Sequence, residues 1–150
     1  MAISLLNKII AIAILINASN AIAFECKTFD SQFLISNWNT EIPHKVEVRI
    51  FEKNGKFDHE INQPIRYSGT LADGAVDQKV LLIQPIDKDL QVLNINYDYQ
   101  IVIESKVFYN IYKIKSSDRA NLGCPLSFAK VNSCTFTGNG PVSFDKACTQ

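Results

Sequence analysis

His44 and His59 are the only histidines in the 150-residue chain, so acid–base chemistry near neutral pH has few candidates. His44 follows Pro43, and His59 stands beside Glu60. A histidine, a carboxylate and an arginine are the minimum set for cleaving a phosphodiester. A base takes the 2′-hydroxyl proton, an acid protonates the leaving oxygen, and a cation offsets the charge that develops. His44, Glu60 and either Arg49 or Arg66 supply those residue types. By itself the pattern is weak, because an exposed histidine among charged residues is more often a solvated surface group. No nucleophile elbow, Gly-rich phosphate loop or His-Glu-x-x-His zinc motif is present. Asp87-Lys88-Asp89 lacks the glycine and distal glutamate of a calcium loop and reads as a turn. The cysteines at 26, 124, 134 and 148 are spaced too widely for a zinc site, with no histidine near them, so neither metal nor cofactor is expected.

The elements that would position these residues are strands. Ile101-Val102-Ile103 and the run Val107, Phe108, Ile111, Tyr112, Ile114 are β-rich and separated only by Glu104-Ser105-Lys106, which predicts two adjacent antiparallel strands. Val46, Val48 and Ile50 alternate with polar neighbours as in a half-buried strand, and Asn54-Gly55 after them is a strong hairpin signal. Lys79 to Ile86 reads as a strand, Leu90 to Ile95 alternates partly, and Phe33 to Trp38 fits a strand or a short helix. Phe57 to Ile65 reads as a surface strand or loop. Tyr67 to Asp77, with Gly69 and Asp73-Gly74, reads as a loop. Thr135-Phe136-Thr137 and Val142-Ser143-Phe144, flanking Gly138-Asn139-Gly140-Pro141, look like a hairpin added to the core. The expected class is α+β but mainly β: a twisted antiparallel sheet with at most one short helix, since the connections are too short for parallel crossovers.

Residues 1–23 read as a secretory signal peptide, with Lys8, an unbroken apolar run from Ile9 to Ile16, and Ala21-Ile22-Ala23 at the cleavage site. A membrane span needs about 20 apolar residues, and Asn17, Ser19 and Asn20 interrupt this one. The mature chain, from Phe24, is large enough for one domain, read as 24–124, followed by an extension at 125–150. Losing Lys8 leaves 14 basic against 15 acidic side chains, which argues against a partner held by bulk electrostatics but leaves room for a local patch. Four cysteines in a secreted chain imply two disulfides. Three pairings are open. Cys26–Cys124 with Cys134–Cys148 is favoured, because the first staples the domain's ends and the second closes a short C-terminal loop. The nine phenylalanines and five tyrosines mostly alternate with polar residues, as core and cross-strand packing requires.

Phe24-Glu25-Cys26, just after the cleavage site, resembles the aromatic-x-Cys opening of secreted effectors of powdery mildew fungi, many of which are similar in fold to fungal guanyl-type ribonucleases. Pro43-His44-Lys45 is similar to the segment holding one catalytic histidine of those ribonucleases. Glu60, followed by Pro64-Ile65, resembles the catalytic glutamate strand, and Tyr99 to Ile103 resembles the strand bearing the catalytic arginine. Cys124 then closes the domain as the last cysteine does in that family. Gln100 stands where the arginine is expected, and Lys113 where the second catalytic histidine is expected. Lys113 is a poor general acid unless its pKa is strongly depressed. The resemblance therefore implies a ribonuclease-like domain that has lost cleavage, with His44, Glu60, Gln100 and Lys113 as vestiges.

Such a protein is expected to enter or contact plant tissue, to bind a host protein or RNA so as to suppress defence, and to be open to recognition by a host immune receptor. RNA contacts are expected at Lys113, Lys115, Arg119, Tyr99 and Tyr112, through phosphate pairing and stacking. The alternatives are an active ribonuclease using His44 and Glu60, and an unrelated secreted β-sandwich that binds a small ligand or a receptor.

Overall fold

The computed structural model describes residues 26–116 and 126–149, and among them the chain forms eleven strands and no helix. In order they are β1 (Thr28–Asp30), β2 (Phe33–Ser36), β3 (Val46–Glu52), β4 (Ile65–Asp73), β5 (Lys79–Pro85), β6 (Val92–Asn94), β7 (Tyr97–Ile103), β8 (Val107–Ser116), β9 (Leu126–Val131), β10 (Cys134–Thr137) and β11 (Val142–Asp145). The mainly β expectation holds. Residues 1–23, read above as a signal peptide, and Phe24, Arg119 and Cys124 lie outside the described residues.

Nine strands form one sheet in the order β10-β9-β8-β7-β3-β4-β5-β2-β11. Alternation explains its centre. Val46 and Val48 of β3 and Tyr99, Ile101 and Ile103 of β7 point into the core, while Glu47, Arg49 and Gln100 lie on the other face. Fully burying a side chain such as Ile101 contributes roughly 1.5–3 kcal/mol. Neighbours are antiparallel except β11, which runs parallel to β2 with Val142 opposite Phe33. The sheet curls until β10 and β11 lie against each other, although no strand ladder joins them.

Side chains close that seam. A disulfide links Cys134, at the start of β10, to Cys148, just beyond β11, with the Cα atoms 5.8 Å apart. Asn132, in the β9–β10 turn, has a left-handed backbone (φ 50°) and is buried. Its N–H donates to the Asn110 carbonyl (2.8 Å), and its Oδ1 accepts from the Asn110 N–H (2.8 Å). Its Nδ2 donates to the carbonyls of Phe108 and Cys148, tying β8 to the segment after β11. Inside, the Tyr109 ring packs on Phe144 at 4.8 Å, and its hydroxyl donates to the Lys146 carbonyl at 3.0 Å. Cys26 is buried and disulfide-bonded.

Both mouths of the curled sheet are covered. At one, β1 and β6 form a two-stranded ribbon, and Phe29 meets Phe33 and Tyr99 edge-on. At the other, residues 37–45 cross between β2 and β3, and Trp38 fills the opening. Its backbone N–H donates to the Lys79 carbonyl (2.9 Å) and its indole N–H to the Glu41 carbonyl (3.1 Å).

Several expectations are corrected. Residues 65–73 form a strand, not a loop. The core-facing positions of β4 are Tyr67, Gly69 and Leu71, and a Cβ at Gly69 would meet Leu81 at 3.0 Å and Pro43 at 3.4 Å, so the apolar signal there is thinned by close packing. The 134–144 segment is not a hairpin. β10 pairs with β9 and β11 with β2 at opposite ends of the sheet, so residues after 125 complete the core and do not hang from it. β11 also breaks the all-antiparallel expectation. The Asn54-Gly55 turn does lie between antiparallel neighbours, β3 and β4, but the connection is longer than a tight hairpin and is narrowed by a single bridge between Phe51 and Glu60.

β8 carries a bulge. Tyr112 pairs with Lys130 and Lys115 with Phe128, so Lys113 and Ile114 together oppose Ala129. The extra residue lets Ile111 and Ile114 both reach the core. Lys113 takes the left-handed conformation (φ 53°) that suits glycine. Lys113→Gly is expected to raise stability by about 0.5–1 kcal/mol in urea unfolding. Replacing Cys134 and Cys148 by Ser should lower it by about 2–3 kcal/mol, the chain-entropy value for a loop of this length. An unchanged urea midpoint would show that the seam does not need the bond.

Candidate nucleic-acid interface

The fold separates the residues expected to cleave RNA. His44 precedes β3, whereas Glu60 lies opposite Phe51 near its far end, so roughly 20 Å of strand divides them. The pairing that the active-ribonuclease alternative requires is not assembled. His44 instead shares a cleft of about 320 Å³ with Arg66 and Glu47, the latter paired with Lys45 at 3.3 Å. Gln100 donates from Nε2 to Asn110 Oδ1 at 2.8 Å on the outer face of the sheet. The Arg49 Nε, next to it on β3, is buried without a hydrogen-bond partner among the described residues.

Tyr99 is 1% exposed. Its hydroxyl donates to the Asn94 carbonyl at 2.6 Å, and burial holds its phenol well above the ordinary range. It belongs to the core and has no face left for a base, which corrects the expectation for it. Alternation could have shown this, because Tyr99 shares its parity with Ile101 and Ile103.

The remaining contacts do converge. On the outer face of β8 and β9, Tyr112 pairs across with Lys130, and Lys115 with Phe128, whose ring lies 5.9 Å from Lys115 Nζ. Lys113 is exposed between them at the bulge. Phe57 meets Tyr112 edge-on at 6.1 Å and Phe51 at 5.5 Å, which brings its exposed neighbour Lys56 to the same face. The sequence has no Asp or Glu from 105 to 116 or from 126 to 144, so nothing on these strands neutralises the lysines. A cleft of about 370 Å³ opens at this face between Phe57, Asn110, Tyr112 and Ser133. A larger cleft of about 730 Å³, by Ser31, Ser68 and Gln84, has no aromatic wall.

Phe57 and Lys56 reach the face because a buried acid holds their turn. Asp98 of β7 is 1% exposed, and its Oδ2 accepts the Gly55 N–H at 2.7 Å. Asn54 Oδ1 accepts the Lys56 N–H (2.9 Å), and Lys53 Nζ donates to the carbonyls of Ile95 (2.7 Å) and Ile114 (3.2 Å). The other Asp98 oxygen is buried without a partner among the described residues. Burial raises the Asp98 pKa, and the N–H groups of Gly55 and Asn54 and the charge of Lys53 oppose that rise only in part.

Among the described residues no group of His, Cys, Asp and Glu is arranged to hold a metal ion. Comparison with protein-family models, curated proteins and solved structures finds no match to this chain.

The folded protein holds the Asp98 proton more tightly than the unfolded chain, whose ordinary value is 3.8. This group therefore costs stability progressively as pH rises from about that value through the folded pKa. Asp98→Asn keeps an oxygen for Gly55 and removes the charge. In urea unfolding between about pH 4 and 7 the variant should equal or exceed the native protein, with its advantage growing with pH. A constant difference across that range would show that Asp98 is not held with a raised pKa.

Proposed function

We propose that the mature chain is a secreted, non-catalytic effector-type protein that acts in or on plant tissue and binds RNA on the outer face of β8 and β9. The observation that carries this reading is the clustering of Lys113, Lys115 and Lys130 with Tyr112 and Phe128 on strands without acids, joined by Phe57 and Lys56 from the turn after β3. Single-stranded RNA takes up that combination, since its bases stack on aromatic rings and its phosphates pair with ammonium groups. Loss of cleavage is supported by the distance between His44 and Glu60 and by Gln100 in place of an arginine. The ribonuclease-like kinship rests on the motifs of the sequence. It is supported by β3, which follows Pro43-His44-Lys45, lying beside β7, which holds Tyr99 to Ile103. Suppression of defence, a host protein partner, entry into host cells and recognition of the same surface by an immune receptor belong to this proposal.

One observation favours a second reading. His44, Arg66 and Glu47 line one cleft, and these are the residue types that phosphodiester cleavage needs. Labelled single-stranded RNA incubated with the oxidised protein in EDTA separates the two readings, with anisotropy and cleavage followed in the same samples. The binding reading expects retention without cleavage. Changing Lys113, Lys115 and Lys130 to Ala should weaken affinity at least tenfold and flatten the salt dependence by about 2 log units per log unit. Cleavage that disappears in His44→Ala would replace it with a nuclease. Affinity untouched by the triple change would remove RNA from this face.

A further inference from the structure

The mouth crossed by residues 37–45 holds a second site, independent of the RNA reading and near the other end of β8. A cleft of about 490 Å³ opens there. That volume lies within the range of small-molecule sites, about 300–1,000 Å³. Its walls are Trp38, Ile42, Pro43, Ile103 and Val107. Ile42 is 45% exposed, an unusual placement for a large apolar side chain against other apolar walls. Gly69 makes this possible, because Ile42 and Pro43 pack where its side chain would be.

The cleft also carries a cation that forms no ion pair among the described residues. Lys146 Nζ lies 4.7 Å from the centroid of the Trp38 ring, and its only hydrogen bond among the described residues is to Thr40 Oγ1 at 3.4 Å. Two of the nearby acids, Asp145 and Glu104, are already engaged. The Asp145 carboxylate accepts from Asn37 Nδ2 and, at 2.7 Å, from the Ala147 N–H. Glu104 Oε1 accepts the N–H groups of Lys45 and His44, which hold its carboxyl below the ordinary range. Glu41 and Glu104 remain as negative charges at the rim, against Lys106, Lys146 and His44. Lys146 forms no ion pair with either of them.

We propose that this cleft binds a small organic anion with a flat apolar body, the body against Ile42, Pro43 and Val107 beside the largely buried Trp38, and the anionic group beside Lys146. A carboxylate there gives Lys146 the partner that the fold withholds, while the indole holds the ammonium in place. A neutral analogue keeps the apolar contact and loses the charged one. A cationic analogue meets repulsion from Lys146.

Trp38 is the sole tryptophan of the chain, so its fluorescence reads this cleft alone. Titration of the oxidised protein with 4-phenylbutyrate should change that emission saturably. The alcohol 4-phenylbutanol should bind at least tenfold more weakly, and 4-phenylbutylamine more weakly still. Lys146→Met should bring acid and alcohol to equal affinity, and Lys146→Arg should restore the preference. Ile42→Ser should weaken both. Far-ultraviolet circular dichroism and the melting temperature of each variant confirm folding. Equal binding of acid and alcohol by the native protein, or no saturable response to 4-phenylbutyrate, would overturn the proposal.

Discussion

A sheet of nine strands has two edges, and curvature here brings both edges to one line. Unpaired edges expose rows of N–H and C=O groups that recruit other chains, and closure removes that hazard. β10 and β11 meet without completing a ladder, so side chains carry the closure: the Cys134–Cys148 bond, the amide of Asn132, and Tyr109 reaching across to Phe144 and the Lys146 carbonyl. Both edge strands have only four residues, which limits the unpaired backbone left at the seam. The parallel β2–β11 pair follows from the same arrangement. A chain that leaves β10 at one end of the sheet and enters β11 at the other arrives beside β2 in the direction its linker sets.

Closure decides how each strand's two faces are used. The inward face is filled by rings and branched chains, with Tyr67, Tyr99 and Tyr109 each given a carbonyl for its hydroxyl. Binding sites are therefore left to the outer face and the mouths. The bulge at Lys113 serves the core and the surface together. It resets the alternation so that Ile114 reaches the interior, and it leaves both Lys113 and Lys115 in solvent.

Where periodicity reports burial directly, the sequence was readable: β3, β5, β7 and β8 fall where alternation or a compact apolar run places them. β4 was not readable because its inward row includes Gly69, a position governed by Ile42 and Pro43 arriving from another part of the chain. Gly138 to Pro141 reads as a hairpin turn, yet the same residues span the seam, and local turn chemistry does not distinguish a reversal from a crossing. The candidate face was half visible. Tyr112, Lys113 and Lys115 are neighbours in sequence, but Lys130 and Phe128 join them through register, and Phe57 through a turn fastened to Asp98. Register and fastening are non-local, so no window of sequence contains them.

The balanced charge of the chain looks like an argument against a nucleic-acid partner, but the geometry weakens it. Fields from exposed charges decay over about 8–10 Å at physiological salt, so a ligand on one face responds to the charges of that face. Strands β8 and β9 carry lysines and no carboxylates, whereas Glu47, Glu52, Asp73 and Asp98 lie on β3, β4 and β7. Asp98 is buried beneath the 53–57 turn with its charge disfavoured, and Asp58, beside Phe57, is the exposed acid of that turn, hydrogen-bonded to Asn54. The sheet thus sorts by strand what composition averages. The quantity that bears on binding is the charge within one screening length of Tyr112, not the net charge of the molecule.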